Sequence, residues 1–384
     1  MTLVTLVSRQ LWTQVLTLIH LRPSRVILLH SDHETESKGP MERLRRFLVG
    51  HRVAFGPMNS PIEVVAEPIP HRNQDGRLFD NLVVAFEEVR ERHRLAQGDC
   101  VNISGGTRLM SAAAFAWAKT RGLESIYLDR DRELTRLEPR KGGFNARVEL
   151  VDPSPFDRFD PLDLLSLQAG DEIVTEPGCR LELTQEGAAA DWDELRTRFA
   201  GGGMAAEFFL RIPGGGAPPR GRQVGDALEY ETALWVLKAG ARSVRRGVQL
   251  SLPDRLGFPG TRSDEEIDCL FCHGGRLWLV ECKFRRSAVN HADRVRRAFG
   301  RLLPRDANEA LWKLTQAFET GEKDSLKLDL LLAYRIAGVQ GQVVRVVSGM
   351  IEDDLRNFAK TKGIVLISKS ELPDAMRRLL TPTP

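Results

Sequence analysis

Apolar residues follow two alternating rhythms over the first 150 positions. Short runs at Leu3–Val7, Val26–His30, Ile62–Glu67, Cys100–Ile103 and Ser125–Leu128, each bounded by polar, Gly or Pro residues, predict β-strands. Between them, Leu11–Leu21, Met41–His51, Leu78–Arg94 and Arg108–Arg121 carry amphipathic patterns that predict helices. Strand–helix alternation of this kind predicts an α/β domain over residues 1–150, a parallel sheet with helices on both faces. Ligands bind such sheets outside the carboxyl ends of the strands, so the loops that follow strands become the candidates for chemistry.

The rhythm breaks near residue 151. The stretch DPSPFDRFDPLD is rich in Pro and Asp, and Gly201–Gly203 and IPGGGAPPRG are further breakers. Residues 151–215 therefore read as a connector with a small subdomain. Regular patterning resumes near Gly225 with a helix, DALEYETALWVLKAG, then SVRRGVQLSL, then EEIDCLFC and LWLVECKF joined by HGGR. More helix follows, then LDLLLAYRI, QVVRVVSG, another helix and a late strand, GIVLIS. Residues 216–384 form the last predicted domain, and no internal repeat interrupts the division.

Composition narrows the classes. A chain of 384 residues with 42% hydrophobic and 28% charged positions is an ordinary globular protein of two or three domains. A net charge of +3 excludes a polybasic protein, yet it is a cancellation: residues 151–210 hold 13 Asp/Glu against 4 Lys/Arg, and the flanking segments are basic. Five cysteines exclude a disulfide framework and suggest a reducing compartment. The N-terminus reads as a buried strand rather than a signal peptide, and no apolar run reaches transmembrane length, so a cytoplasmic location without membrane attachment is expected.

The most informative stretch is Glu266–Phe284. Gly274-Gly275 is a strong two-residue hairpin signal, because a type I′ turn needs positive φ at both central positions. With that turn, paired positions sum to 549, so Asp268 lies opposite Glu281, and Lys283 shares their face. Ile267, Phe271, Trp278, Val280, Cys282 and Phe284 fall on the other, apolar face. Two carboxylates directly opposed repel each other, and a hard divalent cation, Mg²⁺ or Mn²⁺, is the natural neutraliser. That chemistry suits metal-assisted phosphodiester hydrolysis, with Lys283 placed to orient a water or stabilise developing charge. An ion-paired surface hairpin is the bland alternative. Cys269-Leu-Phe-Cys272-His273 matches C-x-x-C-H, the c-type haem pattern, but i and i+3 face opposite sides of a strand. Buried small hydrophobes are the better reading. Eight Lys/Arg and one acid between Lys283 and Arg305 suit a face that tracks phosphates.

In the first domain, the strand DCVNI leads into Ser104-Gly105-Gly106-Thr107-Arg108 and a helix. Backbone N–H groups at such a start favour anions, and glycine permits close approach. The loop is neither G-x-G-x-x-G nor a P-loop, and a tight turn capped by Thr107 is its plain reading. Ser8 and Gln10 after the first strand and Ser31 after the second add polar, uncharged groups at the same edge.

Two resemblances follow. Asp268…Glu281-x-Lys283 is similar to the PD-(D/E)xK nuclease core, which implies a helix acid as a further ligand. Glu229 in GDALEYETAL is the choice over Glu231, and Cys282 is the implied backbone carbonyl ligand. The NISGGTRLMS stretch with the polar loop after the first strand resembles the CARF domain, a Rossmann-like sensor of cyclic oligoadenylates. Together the chain resembles the CARF–nuclease effectors of type III CRISPR defence. One departure is Glu265-Glu266-Ile267-Asp268, where that family often has Asn-Glu-Ile-Asp. The resemblance implies a homodimer whose activator, usually cyclic tetra-adenylate, binds at Ser8, Gln10, Ser31 and Ser104–Arg108. It also implies cleavage of DNA, RNA or both with Mn²⁺ or Mg²⁺. A constitutive restriction-type endonuclease and a non-enzymatic nucleotide-sensing protein are the rival readings.

Overall fold

The computed structural model describes residues 1–31, 37–70, 77–129, 132–170, 174–200, 206–215, 224–253, 262–283, 322–334, 336–338, 341–349 and 351–381. The chain forms two compact units. The first is Met1–Phe159 with Asp163–Asp171 and Ala337–Gln340, and the second takes the remainder.

The first unit is built on β1 (Thr2–Leu6), β2 (Arg25–His30), β3 (Glu63–Pro68), β4 (Cys100–Asn102), β5 (Glu124–Leu128), β6 (Glu133–Arg140) and β7 (Gly143–Leu150). They form one sheet in the order β3-β2-β1-β4-β5-β6-β7. The first five run parallel, as the alternation predicts. β1 and β2 are buried on both faces, so they read as continuous apolar runs. Helices α1 (Trp12–Leu21), α2 (Gly39–Gly50), α3 (Leu78–His93) and α4 (Arg108–Arg121) connect the parallel strands. Val4, Leu6, Ile27, Leu29 and Val101 share one core with Leu82 and Phe86 of α3 and with Met110, Ala113 and Trp117 of α4. Burying each of these large side chains contributes roughly 1.5–3 kcal/mol.

The strand order reverses between β1 and β4, which is where open α/β sheets bind ligands. The β6–β7 hairpin is absent from the sequence reading. Many of its positions are charged, and Arg136 of β6 pairs with Glu124 of β5 (2.5 Å) on one side and with Glu149 of β7 (3.7 Å) on the other.

Two distant segments complete this unit. Gln168, on α5 (Pro161–Ala169), accepts from the Leu11 N–H (3.1 Å) and donates to the Arg9 carbonyl (2.8 Å). The Trp12 indole donates to the Ala337 carbonyl (2.6 Å). The loop after β1 is thus held by parts of the chain that lie far away in sequence.

The second unit contains β8 (Val174–Glu176), β9 (Cys179–Leu183), β10 (Leu210–Arg211), β11 (Val244–Pro253), β12 (Arg262–His273), β13 (Arg276–Lys283), β14 (Gly341–Val347) and β15 (Val365–Ser368). Their order is β10-β9-β11-β12-β13-β14-β15, with β8 also on β11. β11, β12 and β13 are antiparallel, whereas β13, β14 and β15 are parallel. The segment read as a connector therefore divides, α5 joining the first unit and β8–β10 the second sheet.

Among the described residues, the longer helices that accompany this sheet are α6 (Trp192–Ala200), α7 (Val224–Lys238), α8 (322–334), α9 (Asp353–Thr361) and α10 (Leu372–Leu380). Leu228, Ala233 and Leu234 of α7 share a core with Cys269, Phe271, Trp278 and Val280 of the hairpin. LDLLLAY, whose strand-or-helix identity the pattern leaves open, lies in α8. The basic cluster after Lys283 lies outside the described residues. Among those described, no helix is long and apolar enough to cross a membrane.

Candidate active site

The β12–β13 turn has Gly274 at φ 61° and Gly275 at φ 71°, the positive values a type I′ hairpin requires. Cys269 pairs with Val280 and Phe271 with Trp278, which is the predicted register. Continued by one residue, it sets Asp268 against Glu281. Asp268 is only 9% exposed, and the Cys282 N–H donates to its Oδ2 (2.5 Å). The Lys283 ammonium donates to Glu281. Burial, and next the charge of Glu281, push the Asp268 carboxyl up to about 8, against the lowering effect of the Cys282 N–H. Burial works against the Lys283 ammonium, but its bond to Glu281 leaves it raised.

A pH dependence follows. A carboxyl raised on folding contributes stability that is complete below its unfolded value near about 4 and is lost as pH rises through the folded value. Melting of the chelator-treated protein should therefore fall between pH 5 and pH 8.5. Asp268→Asn should flatten that slope, and an equal slope in the variant would assign it to another group.

Two further charged residues reach this site. Arg345 of β14 stands in register with Glu281, is 5% exposed, and pairs with Asp329 and with Ser325 Oγ (2.9 Å) of α8. Burial pushes Asp329 up to about 6; Arg345 opposes the rise and Glu281 adds to it. Sequence reasoning missed both residues. Their one signal is a lone arginine inside the apolar strand QVVRVV together with a lone aspartate inside LDLLLAY.

The two helix acids separate. Glu229 pairs with Arg246 (2.7 Å), which also binds Asp226 (2.6 Å). Burial raises the Glu229 carboxyl, and its charge contributes to the rise of Asp268. Glu231 pairs instead with Lys369 (2.9 Å). Cys269 and Cys272 are buried thiols, neither of them in a disulfide.

Among the described residues, no three His, Cys, Asp or Glu side chains converge on a single metal position. Glu229 is engaged by Arg246, which leaves Asp268, Glu281 and the Cys282 carbonyl. The donor set is nevertheless all oxygen, and Asp268 is a buried carboxyl whose rise the neighbouring Glu281 adds to. Both properties fit a hard divalent cation.

In the first unit, Ser104–Thr107 forms the turn between β4 and α4, at the β1/β4 switch point. Thr107 caps α4 by accepting from the Met110 N–H (3.2 Å). The Ser104 N–H donates to Asn102 Oδ1 (3.0 Å), and Ser104 Oγ accepts from the Leu128 N–H (2.7 Å). A Cβ on Gly105 would lie 2.0 Å from the Leu6 carbonyl oxygen, so glycine is required there. Thr107 and Arg108 are exposed, Ser8 and Gln10 are half-buried, and Ser31 is buried with its N–H donating to Ser37 Oγ (3.1 Å).

No protein-family model and no curated protein matches this sequence. Solved structures do match its fold. Protein VC1899 from Vibrio cholerae aligns with a TM-score of 0.60 at 15% identity, over 99% of this chain and 97% of that one. Can2 from Sulfobacillus thermosulfidooxidans, in complex with cyclic tetra-adenylate, aligns with a TM-score of 0.59 at 15% identity over the same shares. A type III CRISPR defence DNA nuclease activated by cyclic oligoadenylate aligns with a TM-score of 0.53 at 19% identity, and this chain spans 52% of its length. Over nearly its whole length the chain therefore shares the fold of these proteins, two α/β units of which the first has the Rossmann-like strand order that the alternation predicts.

Proposed function

We propose that the chain is a metal-dependent endonuclease of type III CRISPR defence, switched on by a cyclic oligoadenylate. The observation that carries this reading is the hairpin register that opposes Asp268 to Glu281 with Lys283 beside them. Asp268, Glu281 and the Cys282 carbonyl would hold Mg²⁺ or Mn²⁺, which supplies Lewis acidity at a phosphodiester. Glu229 would join them on release from Arg246. Lys283 carries its proton throughout the physiological range, so its ammonium can stabilise charge developing on the phosphate. Arg345 is too buried to meet substrate and, with Asp329, shapes the charge environment of Glu281.

The activator site in this reading is the β1/β4 switch point, with Ser8, Gln10, Ser31 and Ser104–Arg108 around it. The turn offers backbone N–H groups at the α4 start and an exposed Arg108, which suits an anionic ligand. Two copies of the chain would enclose one cyclic activator across a two-fold axis, and closure would reposition the nuclease units. DNA, RNA or both are the substrates.

The test is incubation of supercoiled plasmid and of RNA with the protein in Mn²⁺, with and without cyclic tetra-adenylate, alongside Glu281→Ala. Cleavage is expected only with the activator and only in the unmodified protein. Equal cleavage without it would support a constitutive endonuclease, and no cleavage in any arm would support a sensing protein without activity.

A further inference from the structure

A second charged cavity of about 830 Å³ lies in the nuclease-like unit and has no part in the carboxylate cluster. It opens at the carboxyl ends of β14 and β15, where Ser348 and Ser368–Glu371 form its rim, and Glu231 of α7 forms part of its wall. Carboxyl ends of adjacent parallel strands are the general location of ligand sites in α/β sheets. The volume falls within the roughly 300–1,000 Å³ of ordinary small-ligand pockets.

Its charges are fixed before any ligand arrives. Lys369 pairs with Glu231 (2.9 Å), and Arg356 pairs with Glu371 (3.0 Å). Both cations keep substantial exposure, 47% for the Lys369 side chain and 37% for Arg356. An ammonium has three donors and a guanidinium five, so each retains N–H groups for an incoming anion. The Glu231 carboxylate is 12% exposed, and its remaining lone pairs can accept from a sugar hydroxyl or a base N–H.

The cavity adjoins the catalytic strand directly. The Ser348 N–H donates to the Lys283 carbonyl (3.1 Å), and β14 pairs with β13 as far as Lys283–Val347. Glu231 lies two residues from Glu229 on α7, so the two acids point to different sides of that helix. Cys282 Sγ lies 3.5 Å from Thr232 Oγ1 of α7, so Lys283 points to the other face of β13, and a polynucleotide with one phosphate at Lys283 would reach this rim by passing over the carboxyl ends of β13 and β14.

We propose that the cavity is a nucleotide subsite for the strand being cut. It takes the nucleotide next to the scissile phosphate, with the adjoining phosphate on Lys369 and Arg356 and the nucleoside against Glu231. The proposal rests on the nuclease reading and adds a second point of substrate recognition to it.

The test uses the full-length chain and the variants Lys369→Gln, Arg356→Gln and their combination. Two readouts are compared: the ratio of kcat/KM on a polynucleotide to that on bis(p-nitrophenyl) phosphate, and the affinity for a hexathymidylate in the Glu281→Gln background. Each single variant should lower the ratio about tenfold through KM and weaken oligonucleotide binding similarly, as loss of one charge-assisted hydrogen bond predicts. Lys369→Arg should restore most of both, and this separates charge from a folding defect. A ratio and an affinity that do not change in the double variant would overturn the subsite. Loss of oligonucleotide binding in the variants of a protein that cleaves nothing would keep the subsite and overturn the nuclease reading.

Discussion

Glu281→Gln should lower activator-stimulated cleavage by about 10²- to 10⁴-fold while leaving the fold intact. The side chain stays the same size and still reaches Lys283, so the hairpin has no steric reason to rearrange. The charge is what changes. Glu281 faces Asp268, receives Lys283 and stands in register with Arg345, so its loss reaches every ionised group of the cluster. Asp268 loses one of the two main causes of its raised pKa, and Lys283 loses the carboxylate that holds its ammonium in place. The cluster also loses half of its side-chain capacity for a divalent cation. Effects of this size are usual where a group that organises the charge around a reacting phosphate is lost. The measurement is single-turnover cleavage of labelled substrate with saturating activator. A loss smaller than about tenfold would mean that the cleaving centre lies elsewhere.

Gly105→Ala should destabilise the first unit by about 3 kcal/mol and abolish its response to the activator. The added Cβ would sit 2.0 Å from the Leu6 carbonyl oxygen and 2.5 Å from Gln14 Nε2. Both are fixed, because the Gln14 amide itself donates to that carbonyl (3.0 Å) in a buried site. Overpacking a rigid contact of this kind costs at or above the upper end of the usual 1–3 kcal/mol. Relief would require α4 and its N-terminal turn to move away from β1, which would disturb the edge that carries Ser104–Arg108. Gly50→Ala is the control, since nothing lies within 4 Å of its Cβ and its φ needs no glycine. Thermal melting and activator titration on both variants check this. Equal stability of the two would show that the turn is not rigid.

Much of this was legible in the sequence because the strands of a covered parallel sheet must be apolar on both faces. Val26–His30 and Cys100–Ile103 therefore stood out without any alignment. The Asp268–Glu281 opposition was legible for a stricter reason: a two-glycine turn fixes the register, and the register then assigns every side chain to a face. The β6–β7 hairpin was not legible, since Arg136, Glu138, Arg147 and Glu149 hide the alternation in charge pairs. Asp329 and Arg345 were not legible either. They meet Glu281 only through the parallel pairing of β13 with β14, which joins positions 64 residues apart. Long-range parallel pairing leaves no local pattern to read.

The small segments that return to the first unit have one more consequence. The backbone passes between the units after residues 159, 162, 171, 336 and 340. No single cut can release a complete first unit. A fragment that stops at 159 would lack Gln168 and Ala337, leaving the Leu11 N–H, the Arg9 carbonyl and the Trp12 indole without their partners. Each lost partner in a buried position costs about 1–3 kcal/mol, against a total of roughly 5–15 kcal/mol for a whole domain. A gene for the first unit alone could not arise from this one by truncation, and the second unit could not be exchanged for another domain at one junction. Recombination would have to replace both units together or preserve all five crossings.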